Sequence, residues 1–474
     1  MESKSTSFVK NSFFISISLL IRALTNFLIG VGIARLYGAE SFGQFSVAFT
    51  VSNIFLTLAD FGFDVLLTSE IASNKENATI ISKKYFSIKI ILALISAILM
   101  FIVGTIIPLS ETSKNLIYAL ILFMALTSVS NYFFAFFRGF EKFEYESKVS
   151  FLMNIILLVT IAIASILKLK LIYLIIFFIL SRFIGVILSI NYSKKIVNIN
   201  FFELNFHDVQ NKIKKVMIYG LNFIFGNLFF QLDTILIGSL LGDAQAGIYR
   251  SAFWIMILFL MIPDIIINSF LPNLSNLFVS DKKDWNFLSK LVFKILFVIV
   301  IPISIFVYSF PDLIINTIYG NNNFSYAIEI LKIFSFIIFI RFIAEPFGLV
   351  ITTSQRQYLR TYTVITATIL ILILNFLFAT KYGLNAVAII SLSVNILVGF
   401  SYFILSKVDF KTWIFNKKIF SLIFLSSLFF IIILLFKNIL LLILTTIFFM
   451  GLSFKMIFNE NEKEYLIKTI KLKF

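Results

Sequence analysis

"GDAQAGIYRSAF", residues 242–253, repeats the plan of "GAESFGQFSVAF", residues 38–49, found 204 positions earlier. Gly38 matches Gly242, Gly43 matches Gly247, Phe45 matches Tyr249, Ala48 matches Ala252 and Phe49 matches Phe253. At the same offset Ile33 falls on Ile237, Asp60 on Asp264, and Asp64 on Asn268. Each copy lies between two strongly apolar stretches, so the unit that recurs is a helix, a tight turn and a second helix. Glycine suits such a turn because it accepts positive φ and lets two helices approach closely.

The chain of 474 residues is 60% hydrophobic with a mean hydropathy of +1.00. Soluble domains rarely exceed about half apolar residues, so the excess must face lipid. A crossing helix needs about 20 apolar residues. That criterion predicts fourteen spans, near 11–36, 43–67, 86–108, 115–137, 149–167, 171–191, 216–240, 247–277, 291–310, 326–351, 359–379, 384–405, 418–436 and 438–457. The first apolar run is too long for the core of a signal peptide, about 7–15 residues, and reads as an uncleaved span.

The net charge of +16 is a topology signal. With the N-terminus inside, about 28 of the 40 Lys and Arg residues fall on the inner side and about 8 outside, as the positive-inside rule requires. Inner clusters include Lys194, Lys195, Lys212, Lys214 and Lys215, then Lys282, Lys283, Lys290 and Lys294, then Lys407, Lys411, Lys417 and Lys418. Anionic headgroups balance these charges, and nucleic acid is not needed as a partner. Both termini are therefore expected in the cytoplasm.

Spans 1–2 and 7–8 carry the repeat. Six spans separate the copies, an even number, so both copies point the same way. The expected architecture is an all-α membrane protein of two parallel six-helix halves, residues 1–200 and 201–410. An appended hairpin and cytoplasmic tail fill 411–474. Parallel halves of this kind place a cavity between them and allow rocking around it.

Charges inside spans locate the chemistry. Arg22, Arg182 and Arg341 fall near mid-membrane in spans 1, 6 and 10, each at about 2.5–3.5 kcal/mol on the insertion scale. Guanidiniums present planar forked donors suited to a diphosphate, and these three are the candidate substrate contacts. The competing reading is helix-to-helix ion pairing, strongest for Arg341, since Glu345 follows at i,i+4. The acids Asp60, Asp64, Asp233, Asp264 and Glu345 are candidates for ion coupling or gating. The spacing predicts that Asp60 and Asp64 share one helical face near the cytoplasmic surface, where they could equally be interfacial or capping residues. Asp264 follows Pro263, where a broken helix is expected; Pro302 and Pro346 are further candidate kinks. Lys89 is read as snorkelling to the inner surface with no role.

The segments "QLDTILIGSLLGDAQAGIYRSAF" (231–253), "IARLYGAESFGQFSVAF" (33–49) and "FFRGFEKFEYES" (136–147) resemble those of Wzx-type polysaccharide flippases. These are O-antigen and capsule exporters of the multidrug/oligosaccharidyl-lipid/polysaccharide exporter superfamily. The likeness covers nearly the whole chain, span count included. It implies a bacterial inner-membrane protein that moves an undecaprenyl-diphosphate-linked oligosaccharide to the outer leaflet by alternating access. A proton or sodium ion would couple the cycle, and a polysaccharide polymerase would act downstream. It also singles out Asp233, because span 7 often carries an acid in that family.

Other classes fare worse. Cysteine is missing, which excludes disulfides and thiolate metal sites. There is no G-x-x-x-x-G-K-[ST] loop for ATP, and the single histidine, His207, has no partners at metal-ligand spacing. No metal, cofactor or enzymatic activity is expected. Short outer loops leave no room for the extracytoplasmic domain of a glycan polymerase or ligase. A cation-coupled multidrug or small-solute antiporter and a lipid II flippase of the same superfamily stay open as alternatives.

Overall fold

The computed structural model describes the backbone of residues 2–197, 209–320, 323–408 and 417–471. The side chains of 2–23, 209–223, 417–419, 422 and 467–471 lie outside the description, and so do Arg22 as a side chain and His207 altogether. The described residues form helices without strands: α1 (Glu2–Asp60), α2 (Phe63–Ser73), α3 (Ala78–Ile106), α4 (Glu111–Gly139), α5 (Phe143–Leu167), α6 (Leu171–Lys194), α7 (Val209–Leu240) and α8 (Asp243–Ser280). They continue with α9 (Lys282–Ser309), α10 (Pro311–Tyr319), α11 (Ala327–Thr353), α12 (Gln357–Ser406), α13 (Lys417–Phe436), α14 (Ile439–Ile457) and α15 (Glu460–Lys471).

Among the described residues, eight helices are long and apolar enough to cross a membrane on their own. Two of the longest rods are each two crossings joined at one glycine. Gly38 (φ 80°, ψ −177°) interrupts α1, and Gly383 (φ 68°, ψ −156°) interrupts α12. At 1.5 Å per residue the 50 residues of α12 run about 75 Å, enough for two crossings of a roughly 30 Å core. Counted this way, fourteen helical segments follow the fourteen expected spans; the short α2, α10 and α15 are additional. The protein is a multi-pass membrane protein.

Several expectations are corrected in detail. Span 2 stops at Asp60, where Phe61 and Gly62 both take left-handed φ (38° and 74°) and a separate helix begins at Phe63. Asp60 and Asp64 therefore do not share one helical face. α8 stays helical through Pro263 and Pro272, so the helix is not broken beside Asp264. α9 and α11 hold Pro302 and Pro346 within helix, the places where kinks are expected.

The repeated phrase explains its own glycines. The two copies meet inside the compact unit formed by residues 1–250. A Cβ on Gly43 would fall 1.7 Å from the carbonyl oxygen of Asp243, and a Cβ on Gly247 would fall 1.9 Å from that of Ala39. Ala39 and Asp243 are themselves a repeat pair, so the contact is made twice, reciprocally. Both turns use a positive-φ glycine, Gly38 and Gly242 (φ 93°). Left-handed backbone recurs later too: Glu141 and Gln355 share φ 60°, 214 positions apart.

In the first unit α4 is the central helix, packed by α1, α2, α3, α5 and α6. Its run Phe133–Phe137 is buried on every side, as expected for a helix that is apolar all round. Phe63, Tyr85, Phe86, Val149 and Met153 close around it. In the second unit, residues 251–474, α11 holds the central place between α9 and α12.

Candidate functional site

Arg182 stands on α6 at the wall of a cavity of about 120 Å³ in the first unit. α1 contributes Asn26, Phe49, Asn53 and Leu56 to the lining; α4 contributes Phe123, Thr127, Ser130, Asn131 and Phe134; α5 adds Ser150 and Met153. The guanidinium lies over the Phe123 ring, 5.1 Å from its centroid, an arrangement that favours the cation. Among the described residues the lining contains amides, hydroxyls, rings and one guanidinium, and no Asp or Glu. Such a surface can bind an anion through Arg182 and hydroxyl-rich groups through the amides.

Asn131 links this cavity to a half-buried charge cluster. Its Nδ2 donates to Asp60 Oδ2 at 2.8 Å, and Ser128 Oγ donates to Asp60 Oδ1 at 2.9 Å. Lys89, only 1% exposed, reaches Asp60 Oδ1 at 2.6 Å and Asp64 Oδ1 at 3.0 Å. The snorkelling expectation for Lys89 is thus corrected: it points inward and pairs with both acids. Bringing a charge into the interior is unfavourable unless it is paired and hydrogen-bonded, and the broken joint at Phe61–Gly62 lets two carboxylates converge on one ammonium. Beyond them Arg138 and Glu146 form a second ion pair between α4 and α5.

Asp233 is buried on α7 and accepts a hydrogen bond from Tyr249 Oη at 2.7 Å. Arg250, next to that tyrosine, donates to Thr234 Oγ1 at 3.2 Å. The side chains flanking the second turn therefore bind α8 back onto α7. Asp243 at the start of α8 accepts from Ser110 and from Ser113, the latter at 2.8 Å.

The second unit holds Arg341, Glu345 and Asp264. Arg341 Nη2 lies 2.7 Å from Glu345 Oε1, the pairing that i,i+4 spacing allows. The sequence reading did not include Arg360, whose Nη2 donates to Glu345 Oε2 at 2.8 Å. Asp264 lies within electrostatic range of Glu345, Arg341 and Arg360. Aligning left-handed Glu141 with left-handed Gln355 sets Asn131 against Glu345 and Thr127 against Arg341. The central helix of each unit thus carries polar groups at corresponding positions along its sequence.

Comparison with known proteins agrees with the fold. The model of a family described as "Polysaccharide biosynthesis protein" matches residues 8–278, more than half of the chain. No curated protein sequence matches. Among solved structures, a lipid II flippase, MurJ, in an inward closed conformation matches with a TM-score of 0.73 at 15% identity, covering 93% of this chain and 97% of that one. An inward-facing multidrug resistance transporter of the MATE family matches with a TM-score of 0.67 at 15% identity, over 84% and 97%. A MOP superfamily transporter from Pyrococcus furiosus gives 0.55 at 15%, over 85% and 94%. At these identities the likeness establishes the fold alone, one shared with these transporters. Its span count, its duplicated turn and the match across residues 8–278 lead to one conclusion: the chain belongs to the polysaccharide biosynthesis protein family.

Proposed function

We propose that the protein is a flippase, moving an undecaprenyl-diphosphate-linked oligosaccharide, the repeat unit of O-antigen or capsule, across the bacterial inner membrane. The segments 1–200, 201–410 and 411–474 would act as two rocking halves and an accessory hairpin. Arg22, Arg182 and Arg341 would receive the diphosphate, while the glycan passes through polar surface and the lipid tail stays in the bilayer. Asp233, Asp264, Asp60, Asp64 and Glu345 are the acids available for coupling to a proton or sodium gradient or for gating. No catalytic step is assigned to any of them.

One observation carries the reading: a guanidinium inside a spanning helix opens onto a cavity lined by amides, hydroxyls and rings and, among the described residues, by no acid. A cation-exporting antiporter of this fold would need a cavity dominated by carboxylates, the opposite of this lining. Deleting the gene tests the proposal. Lipid-linked oligosaccharide should accumulate inside the cell and surface polymer should disappear, with growth preserved. Restoring the gene with both Arg22→Gln and Arg182→Gln should not rescue export although the protein inserts normally. Normal surface glycan in the double variant would remove the diphosphate assignment, and arrested growth with lipid II accumulation would point to peptidoglycan instead.

A further inference from the structure

Glu345 is gripped from two sides. Arg341, one helical turn earlier on α11, meets Oε1 at 2.7 Å, and Arg360, in the first turn of α12, meets Oε2 at 2.8 Å. Tyr402, near the far end of α12, accepts a hydrogen bond from Arg360 Nε at 3.3 Å, and its ring lies 5.5 Å from the guanidinium. Asp264 on α8 acts on all three charges. α9 meets the same stretch of α11 with the rings of Phe293 and Phe297. Among the described residues the cluster therefore holds two guanidiniums and two carboxylates, whose formal charges cancel.

Accessibility within the cluster is uneven. The Glu345 side chain is 4% exposed, Arg341 12% and Arg360 31%. The guanidiniums, Arg360 above all, are the more exposed members of the cluster, and the carboxylate is the most enclosed. A carboxylate bridging two guanidiniums also occupies the positions that two phosphate oxygens would take, since both anions match the planar fork.

We propose that Arg341 and Arg360 form one binding site for a phosphate-type anion, and that Glu345 fills it until the anion arrives and leaves it by taking up a proton. The inference rests on the transport reading above, and it adds a residue, Arg360, and an exchange that the reading does not contain. The proton falls to Glu345 because this carboxylate must let go of both guanidiniums for the anion to enter. A dianion seated beside two ionised carboxylates would leave the cluster at −2, and buried charge of that kind is strongly disfavoured. A proton from solvent on Glu345 Oε2 breaks the Arg360 pair and halves the excess. Anion binding and proton uptake thus become one event at one cluster.

The test uses the full-length protein in lipid nanodiscs, titrated by calorimetry with inorganic sulfate, a dianion throughout the neutral range. Sulfate affinity should fall about tenfold per unit rise in pH, the slope for one linked proton. Wild-type protein measured in two buffers of different ionisation heat should show that proton taken up, a readout that needs no variant. Glu345→Gln should flatten the slope and bind at least tenfold tighter at the high-pH end. Arg360→Gln should weaken binding at least tenfold at every pH. Absent sulfate binding, binding without proton uptake, or full affinity in Arg360→Gln would overturn the exchange. Geranyl diphosphate, added as a competitor, separates the sources of the anion. Displacement of sulfate assigns the site to lipid-linked headgroups. Proton-linked sulfate binding that geranyl diphosphate does not disturb upholds the exchange and counts against the transport reading instead.

Discussion

Gly43 and Gly247, repeat partners 204 positions apart, pack backbone against backbone. A methyl group on either would enter the carbonyl oxygen of Asp243 or Ala39. No side chain rotation can relieve that clash, because the obstructing atoms belong to the main chain. Gly43→Ala and Gly247→Ala should each lower stability by about 1–3 kcal/mol, the usual range for overpacking. The double variant should lose less than the sum, since the first substitution already forces the seam apart. Thermal unfolding of the purified variants measures both effects.

The Lys89 ammonium neutralises Asp60 and Asp64 together. Lys89→Met leaves two carboxylates facing each other and should destabilise the protein by about 3 kcal/mol, the low end for breaking a buried pair, because both acids keep a fifth of their surface open. Adding Asp60→Asn and Asp64→Asn should recover most of that loss. Unfolding followed by tryptophan fluorescence gives the comparison. A Lys89→Met protein as stable as the parent would show that the ion pairs contribute nothing.

At the other end of the chain, Lys294 and Glu462 form a pair in which both side chains are 4% exposed. Glu462 Oε2 also accepts the backbone N–H of Asn459, so one carboxylate both caps α15 and docks it on α9. Glu462→Ala should release α15 while leaving the spanning helices intact. Limited trypsin digestion should then cut after Lys463 much faster than in the parent. Unchanged protection would mean that the apolar face of α15 holds it unaided.

Much of this fold could be read along the chain, for identifiable reasons. Span lengths follow from apolar runs, and the duplication shows because paired glycines at Gly38/Gly242 and Gly43/Gly247 answer to a backbone requirement that other residues cannot meet. Arg341 and Glu345 could be paired because they sit one helical turn apart on one element. The partners of Lys89 were hidden by the joint at Phe61–Gly62, which turns two residues expected on one face into two approaches to a third helix. Arg360 was missed for a related reason: it lies across the turn at Gln355, so neither period nor offset connects it to Glu345. A search for charged residues within the first turn of each span, set against acids on the preceding span, would have found it.

Translocation itself is the most direct test of the central claim. Purified protein reconstituted into vesicles carrying fluorescent undecaprenyl-diphosphate oligosaccharide in one leaflet should move the lipid to the other within minutes. Arg182→Gln should slow that movement at least tenfold while remaining folded and inserted, and Arg182→Lys should fall between the two. Equal rates for protein-free vesicles and vesicles containing the wild type, or an Arg182→Gln variant as fast as the parent, would contradict the account.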